Sequence, residues 1–280
     1  MKTRIIADSS ADLMNEVKER VTFVPLTISF DGVEYKDGET IDHKSFYEKL
    51  IESDVLPTTS QATPFEFEKK FREVEKAGES AVVITISSKL SGTYQSAMIA
   101  AEDFENIYVV DGDTATVGGG ILVEYALQLA DQGLEAKEIV EKLEEAKERV
   151  IIVALVDTLE YLKKGGRISS TAAFAGTVLN IKPVISLVHG TINMLGKARG
   201  SKQGNNLLVQ EIERAGGADF SKPVLLGYTG ISDALLQKYI EDSKRIWEGN
   251  LDEIRYTTIG SAIGTHVGPG AIAVAFFKNK

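Results

Sequence analysis

Apolar positions along this chain come mostly as short, unbroken runs, such as Ile5-Ile6-Ala7, Ala81 to Ile86, Ile107 to Val110 and Val150 to Val156. Between them lie longer segments whose apolar residues recur at helical spacing. Runs this short, without strict alternation, read as strands covered on both faces, the pattern of a mainly parallel sheet between helices. Arg4 to Ala7 is the first such strand. It ends in Asp8-Ser9-Ser10-Ala11-Asp12, leaving polar groups at the carboxyl edge where open α/β sheets bind ligands. Thr22 to Leu26 and Thr27 to Tyr35 read as strands, the latter folded at Asp31-Gly32, a hairpin dipeptide. Helices are expected over His43 to Ser53, Pro64 to Lys76, Thr93 to Ala101, Val117 to Asp131 and Ala136 to Arg149. The second of these has Thr63 as N-cap, Pro64 in its first turn and Glu66 three residues after the cap.

From Val150 the texture changes. Strands are expected over Val150 to Val156, Lys182 to Val188, Ile192 to Lys197, Pro223 to Tyr228, Glu253 to Ile259 and Ala271 to Phe277. His189-Gly190 marks an antiparallel hairpin between two of them. The chain has 280 residues, more than one ordinary core usually holds. The fold class is therefore α/β with two domains. Residues 1–150 form an N-terminal three-layer domain with a mainly parallel sheet, and residues 151–280 a C-terminal α/β domain with a mixed sheet.

Net charge is -10, from 31 Lys+Arg against 41 Asp+Glu, which opposes nonspecific attraction to nucleic acid or an anionic membrane. Cysteine is absent, which removes disulfides, thiolate catalysis and Cys-based zinc sites and fits a reducing, cytoplasmic setting. Asp8 interrupts any signal-peptide stretch, and no apolar run could span a bilayer.

Candidate chemistry gathers in three hydroxyl- and glycine-rich segments, read as loops: Thr58 to Pro64, Ile86 to Gln95 and Gly264 to Gly270. Backbone N–H groups and hydroxyls on tight turns make a concave nest for a carboxylate or phosphate. Taken singly, Ser91-Gly92-Thr93 is a helix cap and Thr59-Ser60 a turn before a capped helix. Facing one another, they would hold one small anion. His266, one of three histidines, lies among glycines that permit close approach to a ligand, while His43 and His189 read as helix-start and turn residues. Tyr161 to Ser169 carries Lys163, Lys164 and Arg167, either an exposed loop or a grip for an acidic partner. Gly118-Gly119-Gly120 fits neither a P-loop nor a dinucleotide fingerprint, and close helix packing accounts for it. No GxSxG, HExxH, kinase or EF-hand signature occurs, and no cofactor or metal site is expected. Ser91, His266 and an acid such as Asp8 could still form a triad acting on an acyl ester or acyl phosphate, the alternative reading.

The motifs Asp8-Ser9-Ser10-Ala11-Asp12-Leu13, Thr59-Ser60-Gln61, Ile86 to Ala97, Asp157 to Ile168, Lys182-Pro183 and Gly264 to Gly270 occur in this order along the whole chain. In them the chain resembles the DegV family of bacterial fatty-acid-binding proteins. The resemblance implies a noncatalytic carrier holding one long-chain fatty acid in a tunnel between two domains, its carboxylate near Thr59, Ser60, Ser91, Gly92, Thr93 and His266. It implies a separate fatty acid kinase as partner, which makes the acyl phosphate for phospholipid synthesis. Lys163, Lys164 and Arg167 are the expected kinase-docking cations. A neutral hydroxyl and imidazole grip would leave the carboxylate accessible. Ala62 stands where the family often has proline, and Gly112 where a serine commonly follows the aspartate.

Overall fold

The computed structural model describes residues 2–168 and 181–280; Ser169, the end of the basic segment, lies outside them. The chain begins β1 (Thr3–Asp8), α1 (Asn15–Lys18), β2 (Thr22–Val24), β3 (Thr27–Phe30), β4 (Val33–Lys36), α2 (His43–Glu52) and β5 (Thr58–Ser60). It continues α3 (Pro64–Lys76), β6 (Ser80–Thr85), α4 (Thr93–Ala101), β7 (Ile107–Asp111), α5 (Thr116–Asp131), α6 (Ala136–Lys147) and β8 (Val150–Leu155). Then come α7 (Glu160–Lys164), β9 (Ile181–Val188), β10 (Thr191–Arg199), α8 (Ser201–Arg214), β11 (Leu225–Tyr228) and α9 (Ala234–Asp242). The last elements are α10 (Lys244–Trp247), β12 (Tyr256–Thr258), α11 (Ser261–Val267) and β13 (Ile272–Phe277).

The apolar runs form a four-stranded, all-parallel sheet in the order β2-β1-β6-β7. Side chains alternate across it as the strand period demands. Ile6, Ala81 and Val83 pack with Phe67 and Phe71 of α3 and Ala97 of α4, while Ile5, Val82 and Ile84 share a core with α5 and α6. The second sheet, β10-β9-β8-β13-β11-β12, is mixed, with only the β11–β12 pair parallel. One face, including Val153, Val274 and Phe276, packs against α8, α9 and Trp247 of α10. The opposite face, including Ile152, Ala273 and Phe277, belongs to the same core as Ile5 and Ile84. The expected α/β class, with a parallel sheet first and a mixed sheet second, is observed.

Helix α5 contacts strands of both sheets. A helix in that position must be apolar all round, as TVGGGILVEYALQLAD nearly is. Its glycines make the approach possible. A Cβ at Gly120 would collide with the Asp12 carbonyl, and one at Gly118 would meet Thr114 and Ile152.

The hairpin dipeptides behave as read. Asp31-Gly32 and His189-Gly190 all have positive φ, the left-handed pair that joins β3 to β4 and β9 to β10. Thr63 caps α3 by accepting from Glu66 N at 3.3 Å, and Asp42 caps α2 by accepting from Ser45 N at 2.8 Å.

Two expectations need correction. Thr58–Ser60 is not a turn but β5, paired antiparallel with β3 in a small sheet with β4. Gly264 to Gly270 is not wholly a loop, because its first four residues end helix α11. That helix has no local cap; instead Asp37 accepts from Ser261 N at 3.1 Å and Ala262 N at 3.3 Å, and Asp12 accepts from Gly260 N at 2.8 Å. Caps supplied from more than two hundred residues away leave no trace in the local sequence. Among the described residues, no helix is long and apolar enough to cross a membrane.

Candidate ligand-binding site

A cavity with about 110 Å³ of water-accessible interior is lined by residues from both halves of the chain. Its body is apolar: Ile152 and Ala154 of β8, Ile185 and Leu187 of β9, Ala273 of β13 and Ile263 of α11. Its polar lining comes from Thr59 and Ser60 of β5, Gln61 beyond it, Ser91 in the turn before α4, Thr116, Arg167 and His266 of α11.

Thr59 and His266 face each other, with Oγ1 and Nε2 2.8 Å apart. The other ring nitrogen, Nδ1, is buried and has no partner among the described residues, pressed against Gly165, where any Cβ would strike it. An orphan lone pair costs less than an orphan N–H, so the proton belongs on Nε2, which donates to Thr59 Oγ1. The Thr59 hydroxyl hydrogen is thereby left to donate to a ligand. Burial first, and the positive charge of Arg167 second, push the His266 pKa down to about 4, so the ring is neutral at physiological pH.

Arg167 corrects the expectation of an uncharged mouth. The basic segment after α7 turns back, so that the guanidinium lines the cavity, Nε donating to Leu90 O at 3.2 Å and Nη1 to Gly165 O at 2.6 Å. It makes no ion pair among the described residues, and burial lowers its pKa. Among the described lining residues Arg167 is the only charged side chain, the imidazole being neutral, so its field in the cavity favours an anion.

Thr59, Ser60, Ser91 and His266 are brought together on the cavity wall, whereas Gly92 and Thr93 support it from behind. Thr93 is fully buried, with its hydroxyl 2.9 Å from Ser91 Oγ. Gly92 has no room for a side chain beside Gln61, whose Nε2 donates to Ser96 Oγ at 2.8 Å. Lys163 and Lys164 are exposed on α7, away from the lining, with Lys164 paired to Glu160 at 2.8 Å. Sequence reading missed Gln61 and Thr116 as lining residues, and the position of Arg167.

The polar end of β1 builds the mouth without touching the cavity's apolar body. Asp8 accepts from Ser10 N at 2.9 Å and from Ile86 N at 2.6 Å, anchoring the turn that carries Ser91. Asp12 and Asp37 anchor α11, which carries His266. Burial raises the pKa of all three carboxyls, that of Asp12 to about 7.

The hydrolytic triad is not assembled. His266 Nε2 meets Thr59 rather than Ser91, Ser91 Oγ meets Thr93, and Asp8 spends both oxygens on backbone N–H groups.

Depression of the imidazole pKa from 6.5 to about 4 has a sign that can be measured. Between these values the unfolded chain binds the proton and the folded chain does not. Stability from neutral His266 is thus complete above pH 6.5 and falls as pH drops toward 4, by roughly 3 kcal/mol in all. Asp12, raised from 3.8 to about 7, works in the opposite direction. The informative quantity is therefore the difference between wild type and His266→Gln in urea unfolding. It should shift by about 2 kcal/mol between pH 7 and pH 4.5; an unchanged difference would show that the ring titrates freely.

The chain matches the DegV family, described as uncharacterised proteins, over residues 2–279. It is 34% identical over 285 residues to a DegV domain-containing protein of Caldanaerobacter subterraneus, covering 100% of this chain and 99% of that protein. Among solved structures it is similar to a DegV family protein of Thermus thermophilus described as binding fatty acid, with TM-score 0.89, 31% identity and 100% of both chains covered. It is also similar to a stearic-acid-binding protein of Eubacterium ventriosum, with TM-score 0.88, 28% identity, and 99% and 98% of the two chains covered. With the family pattern running from end to end and the fold shared throughout, the chain belongs to the DegV family.

Proposed function

We propose that this protein binds one long-chain fatty acid, its tail in the apolar cavity between the lobes 1–150 and 151–280 and its carboxylate at the polar mouth. One observation carries the reading: a cavity lined mainly by apolar side chains also carries hydroxyl donors and, among the described residues, one cation. Such a lining suits an amphipathic anion with an extended hydrocarbon tail. Burying about 14 methylenes at ~0.8 kcal/mol each contributes on the order of 11 kcal/mol before ordering costs are subtracted. The relay from His266 through Thr59 presents only a donor to the ligand, and Ser91 and Arg167 add to the same polarity. The Thermus thermophilus and Eubacterium ventriosum relatives, described as fatty-acid and stearic-acid binders, support it further.

The finer reading is that the protein carries the acid to a separate fatty acid kinase and does no chemistry itself. Lys163 and Lys164, exposed on α7 next in sequence to the cavity-lining Leu162, are the cations for an acidic kinase surface, and Arg167 belongs with the head group instead. Cytoplasmic location follows from that role.

Mass spectrometry of denatured, purified protein should release a long-chain acid. Protein that is empty and takes up neither palmitate nor oleate would overturn the proposal. The double substitution Lys163→Glu, Lys164→Glu should leave acid binding intact and slow kinase-dependent acyl phosphate formation about tenfold at low salt. An unchanged rate would remove α7 from the docking surface.

A further inference from the structure

A second cluster lies outside this cavity, where Asp113 (after β7), Glu148 (after α6) and His189 (in the β9–β10 turn) converge. The His189 Nδ1 atom is 3.4 Å from Asp113 Oδ2 and 3.6 Å from Glu148 Oε2. Ligand atoms about 2.0–2.1 Å from a tetrahedral zinc ion lie about 3.3 Å from one another; both distances from the imidazole are close to this, and all three ligand atoms lie within 4.8 Å of one another.

Neighbouring groups hold the ligands in place. Asp113 N donates to Asp111 Oδ1 at 3.1 Å, and Gly190 N donates to Asp113 O at 2.7 Å, tying the hairpin to the loop. Asp113 Oδ1 is engaged by Ser87 Oγ at 3.5 Å and Lys89 Nζ at 3.7 Å, which leaves Oδ2 for the ion. Lys89 is itself drawn aside to His189 O at 2.6 Å. Second contacts of this kind orient metal ligands. The side chains of Asp113, His189 and Glu148 are 17%, 42% and 62% exposed, so an ion has access from solvent and water can complete its coordination.

We propose that Asp113, Glu148 and His189 bind a borderline divalent cation of the zinc class, which pins the β9–β10 hairpin to the loop after β7 and the end of α6. One imidazole and two carboxylates suit such a cation better than magnesium, which prefers all-oxygen octahedral sites. Leu187 and Ile192, on either side of the hairpin turn, line the apolar cavity, so the bound cation stiffens one cavity wall. Cation binding itself does not rest on the fatty acid reading. The sequence expects no metal here, because three ligands from distant segments show no ligand spacing.

The other two histidines make the assay clean. His43 has both ring nitrogens on carbonyls, at 3.2 Å and 2.8 Å, and His266 is buried against Thr59. Calorimetric titration of tag-free protein with zinc chloride should show one ion per chain and a raised unfolding midpoint, with no response to magnesium chloride. His189→Asn keeps a residue that tolerates positive φ in an Asn-Gly turn and removes the imidazole, so the hairpin survives. It should weaken zinc binding at least tenfold, as should Glu148→Gln. Absence of heat and midpoint shift in wild type, or wild-type binding by His189→Asn, would overturn the proposal.

Discussion

Ala154→Phe should abolish binding of long acids while leaving the fold intact. Ala154 is the next-to-last residue of β8, opposite Ile185 on one side and Ala273 on the other, and all three line the cavity. A benzyl group there projects over the path of the tail and excludes about four methylenes, worth ~3 kcal/mol or more than a hundredfold in affinity. The ring enters apolar space already provided, so overpacking strain is small and the unfolding midpoint should hold or rise. Palmitate affinity and thermal midpoint, measured together, separate the two effects. Ala154→Leu should give an intermediate loss. Palmitate affinity equal to wild type would show that the tail does not cross β8.

The sequence made the layers legible because each rests on local signals. Short apolar runs gave the sheets, and Thr63-Pro64 and the two hairpin dipeptides marked boundaries. Gly112 shows how far a local reading reaches: in sequence it stands as a departure from a common serine, yet a Cβ there would collide with the Thr85 carbonyl, so this backbone path requires glycine. What stayed illegible was long-range. Helix α11 is capped by Asp12 and Asp37, and β5 exists only because β3 lies beside it. Arg167 reads as a surface cation until the turn at Gly165-Gly166 carries it back to Leu90.

That return changes the electrostatic logic of the mouth. Neutral hydroxyl donors favour a carboxylate over a protonated acid or an alcohol only through the greater strength of each hydrogen bond to a charged acceptor. The charge of Arg167 adds to this preference. The same field that helps to keep His266 neutral stabilises an ionised head group beside it. Because the guanidinium is also committed to two backbone carbonyls, its fork is not wholly free for bidentate capture.

The combination Thr59→Val with Ser91→Ala should lower carboxylate affinity by two to four orders of magnitude. Each substitution removes one hydroxyl donor to a charged acceptor, worth about 1.5–3 kcal/mol. Valine closely matches threonine in shape, so its effect reports the hydroxyl. The two should not be equal: Thr59→Val also leaves the buried His266 Nε2–H without its acceptor, whereas Ser91→Ala removes a contact to the Thr93 hydroxyl and a longer bond, 3.3 Å, accepted from Thr93 N. Thr59→Val alone is therefore expected to cost more. Palmitate and its methyl ester provide the control, because the ester keeps the tail and loses the charge. Variants that weaken the acid strongly and the ester slightly place the hydroxyls at the head group. Equal losses for both ligands would mean that the substitutions disturb the cavity's shape, and the donor relay from His266 through Thr59 would have no part in recognition.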